Sequence, residues 1–336
     1  MICYKKFIQG MVVFASLNGL MLNIQSHTAD AVDIVSNVAK DPTDIPPPLA
    51  RGRSQTVTIN LVAKEVVGEL TPGKNFWFWG FAEKDGDTVG PVTVPGPMIR
   101  VMVGDTVVIN LTNAADSEEP HNLDFHTGFG AMISDLAPGV TGTVTFKPKR
   151  EGAYIYHCGA EGMPWEHVSY GMYGLIMVEP RGGLKKVDKE FYIGQGEWYI
   201  KEGIEDHPDI EGYSLDEDKA LAEHPDYFTF NGHTDALKDP ALYGNAITVN
   251  EGDKVRIFFV NGGPNLGSSF HVIGQIFSRF YPGRYMDFIR NEETPFIPPG
   301  SAAVVELRAL TAGDFYIVDH ALWRAPKGAL GLFHVN

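Results

Sequence analysis

Short β-branched runs broken by Gly, Pro and Asp set the pattern of this chain from about residue 54 onward. Thr56-Val57-Thr58-Ile59-Asn60-Leu61, Val101 to Leu111, Gly142 to Phe146 and Leu175 to Val178 read as strands ending at turn residues, the layout of a β-sandwich. Helical character is confined to Asp216 to Glu223, with Ser214 as the expected cap. Ahead of the strands, Pro46, Pro47 and Pro48 followed by Arg51-Gly52-Arg53 mark residues 30–53 as an extended N-terminal arm outside the core. Earlier still, Lys5 and Lys6 lead into an apolar stretch, Phe7 to Leu22, with small residues at Ala29 and Ala31. That is the layout of a signal peptide over residues 1–29, too short and too interrupted for a comfortable membrane span. The mature chain is expected to be periplasmic or otherwise exported, with no membrane span.

The strand pattern occurs twice. Gly104-Asp105-Thr106-Val107-Val108-Ile109 recurs as Gly252-Asp253-Lys254-Val255-Arg256-Ile257. Phe125-His126 then matches Phe270-His271, and Pro138-Gly139 matches Pro299-Gly300. Gly152-Ala153-Tyr154-Ile155-Tyr156-His157 matches the segment from Gly313 to His320. Pairs that keep their order and nearly constant spacing mark a duplication. The fold is expected to be all-β, two tandem Greek-key β-sandwich domains over residues 54–183 and 184–336.

Composition narrows the partners. With 42 acidic against 27 basic side chains the formal net charge is -15, which argues against nucleic acid and anionic membrane surfaces. The run Glu202 to Glu223 reads as an acidic, solvated excursion, and His27, His207, His224, His233 and His334 as surface or loop residues. Of the two cysteines, Cys3 falls in the segment expected to be cleaved, which leaves Cys158 alone. An exported protein that keeps one thiol without a disulfide partner needs a reason for it, and metal ligation is one.

Cys158, His167 and Met172 share one inter-strand loop, and His121 stands at an earlier strand end. Two imidazoles, a thiolate and a thioether are the ligand types of a blue copper site, whose soft sulfur selects copper. Any one of these residues alone would more often be core packing. The four together, in this order, point to the metal. Around them, Pro120-His121-Asn122-Leu123-Asp124-Phe125-His126, Tyr156-His157-Cys158, Gly171-Met172-Tyr173-Gly174 and Ser269-Phe270-His271-Val272-Ile273-Gly274 resemble the motif series of copper-containing nitrite reductases, whose domains are cupredoxin-like. Phe230-Asn231-Gly232, Asn261 to Asn265 and Val318-Asp319-His320 extend the resemblance to the C-terminus. It implies that His121, Cys158, His167 and Met172 form the electron-accepting type 1 copper site.

His126, His157, His271 and His320 fall at matched positions of the duplication, so symmetry places them in pairs. A head-to-tail oligomer would bring a pair from each of two chains to one interface. Three imidazoles and an open position would make a catalytic metal site. The resemblance implies which three: His126 and His157 with His320 of the partner subunit hold type 2 copper, giving two coppers per chain and a homotrimer. It further implies that Asp124 and His271 pass protons, that Ile273 caps the open position, and that a small cupredoxin or c-type cytochrome delivers the electron. The reaction would be reduction of nitrite to nitric oxide and water. The chain departs from the family in a shorter loop, Thr127 to Ala137, and in the order of Met163, Pro164 and Trp165 between Cys158 and His167.

Two rivals use the same residues. A two-domain multicopper oxidase needs paired His-x-His motifs and a histidine on both sides of the cysteine, but Asp124 and Gly159 stand where two of those histidines would be. A type 1 electron carrier would leave His126, His271 and His320 without a purpose.

Overall fold

The computed structural model describes residues 32–336 apart from Phe129, 205–206, 239–246 and Met286. The expected signal peptide, and His27 within it, lies outside the described residues.

Each half of the chain is built from two sheets. In the first half one sheet orders Lys74–Asp85, Thr56–Thr71, Thr106–Asn113 and Thr141–Phe146 as neighbours. Its companion orders Ile99–Met102, Tyr173–Glu179, Gly152–His157, His121–Phe125 and Met132–Leu136. The second half repeats this, with Tyr227–Phe230, Lys189–Trp198, Lys254–Gly263, Ser301–Arg308 and Arg279–Tyr281 in one sheet. The other holds Ile247–Val249, Leu330–Val335, Gly313–Asp319, Ser268–Val272 and Phe296–Ile297. The sequence repeat is therefore a structural repeat of two cupredoxin-type sandwiches.

Strand alternation explains the packing locally. Along Thr106–Asn113, Val107, Ile109 and Leu111 are fully buried while Thr106, Val108, Asn110 and Thr112 are only half-buried, the period of a sheet with one wet face. Tyr173–Glu179 is instead buried at every position. The second half covers its outer face: Tyr173 and Leu175 share one core with Tyr192, Phe258, Val260 and Val304. Gly262 makes that contact possible, since a Cβ there would come within 2.6 Å of the Tyr173 ring.

A buried ion network also joins the halves. Arg100 bonds Glu179 and reaches Glu190 at 2.8 and 3.1 Å, and Glu190 and Glu306 share Arg256. Burial pushes the Glu190 carboxyl up, but hydrogen bonds and charge from Arg100, with help from Arg256, outweigh it and leave Glu190 below the usual range. Glu190→Ala is expected to destabilise the fold by about 1–3 kcal/mol, because it takes one carboxylate from each of two buried guanidinium groups, which keep Glu179 and Glu306 as partners. Denaturant unfolding measures this. Because the folded-state value is depressed, the contribution is complete above the unfolded glutamate value of about 4.3 and fades as pH falls through the folded value, so wild type and variant should converge in acid.

Five expectations change. Val101 to Leu111 is two strands in different sheets, because the chain turns at Gly104 (φ +87°) and the buried Asp105 carboxylate accepts the N–H groups of Met102 and Gln55. The arm is part of the fold: Asp33–Asn37 pairs in parallel with Thr56–Thr71, Val32 and Val38 enter the core, and Arg51 bonds Asp105. The acidic run is not merely solvated, since Ile200–Glu202 and Tyr213–Leu215 pair and add to the first half's sheet at Phe76. The helix there is Glu217–Leu221, capped by Asp216, whose carboxylate accepts from Lys219 N at 3.0 Å; Ser214 is buried in the preceding strand. A second helix, Pro164–Ser169, lies in the ligand loop, with proline at its first turn where no N–H is missed.

Candidate metal centres

The first cluster forms where two neighbouring strands end. His121 opens the strand His121–Phe125, and Cys158 follows the last residue of Gly152–His157, which pairs with it. The loop then folds back so that Cys158 N donates to Met172 O at 3.1 Å and Met172 N to His167 O at 3.1 Å. Sγ of Cys158 lies 3.3 Å from Nδ1 of His167 and 4.0 Å from Nδ1 of His121. All four residues are buried, His167 the most exposed at 2%.

Burial pushes the Cys158 thiol up to about 12, although the N–H groups of Asn122, Ala160 and Gly159 act in the opposite direction. It lowers His121 to about 3, and it lowers His167 to about 3 with a smaller contribution from His121. The imidazoles are thus neutral and ready to ligate. A cation that displaces the thiol proton meets a thiolate already supplied with the N–H of Asn122 at 3.2 Å. This donor set fits copper, with the buried Met172 supplying the thioether.

The sequence reading missed several supports. Asn122 locks the loop, its amide oxygen accepting from Gly159 N at 2.7 Å and its amide nitrogen donating to Asp135 at 2.9 Å. Trp79 packs against the rings of His121 and His167, centroids 5.6 and 5.0 Å away, and stacks on Tyr170. The Glu65 carboxylate lies 3.3 Å from Nε2 of His121.

The second cluster begins one residue away, because the neighbour of Cys158 is His157. Nδ1 of His157 lies 2.9 Å from the Cys158 carbonyl, which can only accept, so Nε2 is left facing Nε2 of His126 at 3.1 Å. Asp124 comes within 3.9 Å of His126 and 3.8 Å of His157, beyond direct hydrogen bonding. Burial, and then the nearby His157, hold His126 below its ordinary value against the pull of Asp124. The donor atoms of these three residues can face one ion. His126 is 42% exposed at its side chain, so the cluster opens outward.

The other two histidines meet in the second half, with ring centroids 5.4 Å apart. Nδ1 of His271 faces the Glu293 carbonyl at 2.7 Å, which again leaves Nε2 free to act. His320 is held from below: its N–H donates to Ser269 O at 2.7 Å, and buried Asp319 accepts from Gln195, Ser269, Ala321 and Arg324. Ile273 follows two residues after His271 and is 41% exposed. Among the described residues, no third imidazole of the same chain joins His126 and His157.

Of the histidines read as surface or loop residues, His207 lies on a loop and is half-buried, and His233 lies in a turn segment yet is buried. His233 is buried, its Nε2 facing Glu69 at 3.3 Å and its Nδ1 accepting from Asp235 N. His207 packs edge-on against Trp77 beside Glu118. Both belong to packing around the first sandwich.

Residues 90–183 match the multicopper oxidase family model. A copper-containing nitrite reductase of Neisseria meningitidis serogroup A is 40% identical over 308 residues, covering 90% of this chain and 75% of its own. Among solved structures, the copper nitrite reductase from Nitrosomonas europaea is 32% identical, with a TM-score of 0.71 over 84% of this chain and 94% of its own. A copper-containing nitrite reductase from Thermus scotoductus is 28% identical, with a TM-score of 0.67 over 84% of this chain and 62% of its own.

Proposed function

The chain belongs to the copper-containing nitrite reductases and reduces nitrite, and from that premise we propose how its residues divide the work. His121, Cys158, His167 and Met172 hold type 1 copper. His126 and His157 hold type 2 copper with His320 of the partner subunit, two ions per chain in a homotrimer. One observation carries this reading: the two clusters are joined by the single peptide bond between His157 and Cys158. When bound, copper supplies a one-electron relay at the first cluster and a Lewis-acidic, electron-donating centre for nitrite at the second.

The chain's own groups do the rest. Reduction to nitric oxide and water takes one electron and two protons. The His157 to Cys158 bond offers the electron a covalent path. Asp124, too far from either imidazole for a direct bond, is placed to pass a proton through water. His271, with Nδ1 committed to the Glu293 carbonyl, has Nε2 available for the other. Ile273, exposed two residues past His271, would limit by its bulk how an anion lies at the copper site.

The interfacial assignment draws on what surrounds the second pair. Phe296 is 61% exposed beside the His271 strand, Tyr316 bonds Ile273 through its backbone, and Trp323, three residues past His320, is 88% exposed. Large apolar side chains around a half-built metal site suit contact with another copy. Near the first cluster, exposed Trp165 and Leu221 are rimmed by Glu166, Glu217 and Glu223, a face suited to a cationic electron carrier such as a small cupredoxin or c-type cytochrome. We take residues 1–29 as a signal peptide for export, 30–53 as an arm packed onto the first domain, and 54–183 and 184–336 as the two domains, the second lending Ile200–Glu202 and Tyr213–Leu215 to the first domain's sheet.

Asp124→Asn keeps the shape and removes the titrating proton. Nitrite turnover with a reduced dye is expected to fall by about 10²-fold or more while copper per chain and visible absorption stay unchanged. Undiminished turnover would remove Asp124 from proton transfer.

A further inference from the structure

Glu65 is a buried charge in a place where strand alternation calls for an apolar side chain. It sits mid-strand in Thr56–Thr71 between Ala63 and Val67, at 3% exposure. Glutamate is almost never buried so fully without a partner that explains it. Its neighbour Lys64 does not, since that ammonium is committed to Asp116 at 2.7 Å and Asp33 at 2.9 Å. What Glu65 faces is the turn that delivers a copper ligand. Oε1 accepts from the backbone N–H groups of Glu118 and Glu119 at 3.1 and 2.9 Å and lies 3.3 Å from Nε2 of His121.

We propose that Glu65 is the positioning residue for His121, fixing its Nε2–H tautomer and placing a negative charge behind the type 1 copper that lowers that site's reduction potential. The inference rests on the type 1 assignment above. A carboxylate can only accept, so its charge 3.3 Å from Nε2 favours the tautomer with the proton there, and Nδ1, the atom turned toward Cys158, is left as the ligand. The same oxygen fixes the backbone two and three residues before His121, so ring and chain are set by one group. The electrostatic consequence follows from counting charge. Divalent copper with the Cys158 thiolate and the Glu65 carboxylate is neutral, whereas the monovalent ion leaves a buried excess negative charge. Low-dielectric surroundings penalise that excess, so the carboxylate favours the oxidised state.

The test is a redox titration of the copper-loaded full chain, followed at the visible thiolate band. Glu65→Gln keeps an oxygen for the two N–H groups and removes the charge. Its midpoint is expected to rise by the equivalent of about tenfold or more in the oxidation equilibrium, about 59 mV for one electron, with the band retained. Glu65→Asp, which keeps the charge, should return most of that shift. A band-retaining Glu65→Gln with an unmoved midpoint, or a Glu65→Asp shifted as far as Glu65→Gln, overturns the proposal. If Glu65→Gln fails to load copper, nitrogen NMR of the reduced wild type decides: a protonated Nε2 on His121 supports the proposal and a bare one overturns it. Absence of any visible band in the copper-loaded wild type would instead overturn the type 1 assignment.

Discussion

Cys158→Ala is expected to bleach the protein while leaving its second copper in place. The intense visible band of a type 1 site is a thiolate-to-copper transition, and Cys158 is the thiol within reach of His121 and His167. The variant keeps both imidazoles, but these are a poor substitute for a set whose character comes from sulfur. His126 and His157 do not depend on the Cys158 side chain, since His157 is oriented by the Cys158 carbonyl, which alanine retains. The type 2 signal in electron paramagnetic resonance should therefore survive. Turnover with a protein donor should fall by more than about 100-fold, beyond the 10–100-fold that follows from losing a ligand's supporting partner. A variant that stayed coloured would refute the type 1 assignment.

His320→Ala should do the reverse. With two imidazoles left on the cluster of His126 and His157, type 2 copper and nitrite turnover should both be lost, again by more than about 100-fold, while the visible band remains. Buried Asp319 and the bonds around it do not use the His320 ring, so the fold should be unaffected. His271→Ala, by contrast, is expected to spare both metals and lower turnover alone. If it emptied the second site while His320→Ala did not, ligand and proton donor would be exchanged.

The sequence made legible what is local or repeated. The order of His121, Cys158, His167 and Met172 could be read because three of the four lie on one loop, and the pairing of His126 with His157 and of His271 with His320 followed from the duplication. What escaped depends on contacts between distant segments. Glu65 and Trp79 reach the first cluster from strands whose pattern says nothing of a metal, and Arg100, Glu190 and Arg256 form one network from three separate stretches. His233 does lie in a turn segment, but its burial beside Glu69, distant in sequence, is not written in that local pattern. Val101 to Leu111 looked continuous because both strands are apolar and the turn between them is held by Asp105 through side-chain bonds. Ser214 and Asp216 are both good caps, and only the strand Tyr213–Leu215 decides between them.

The most direct measurement is copper content and nitrite turnover of chains carrying His126→Ala co-expressed with chains carrying His320→Ala. Each variant alone should lack type 2 copper. In mixed oligomers, a His320→Ala chain still offers His126 and His157, and a His126→Ala neighbour still offers His320 of the partner subunit. Random mixing should therefore restore about a quarter of the sites, with activity in proportion, if the site is shared head to tail. A mixture as empty and inactive as its two components would contradict a copper site built between subunits.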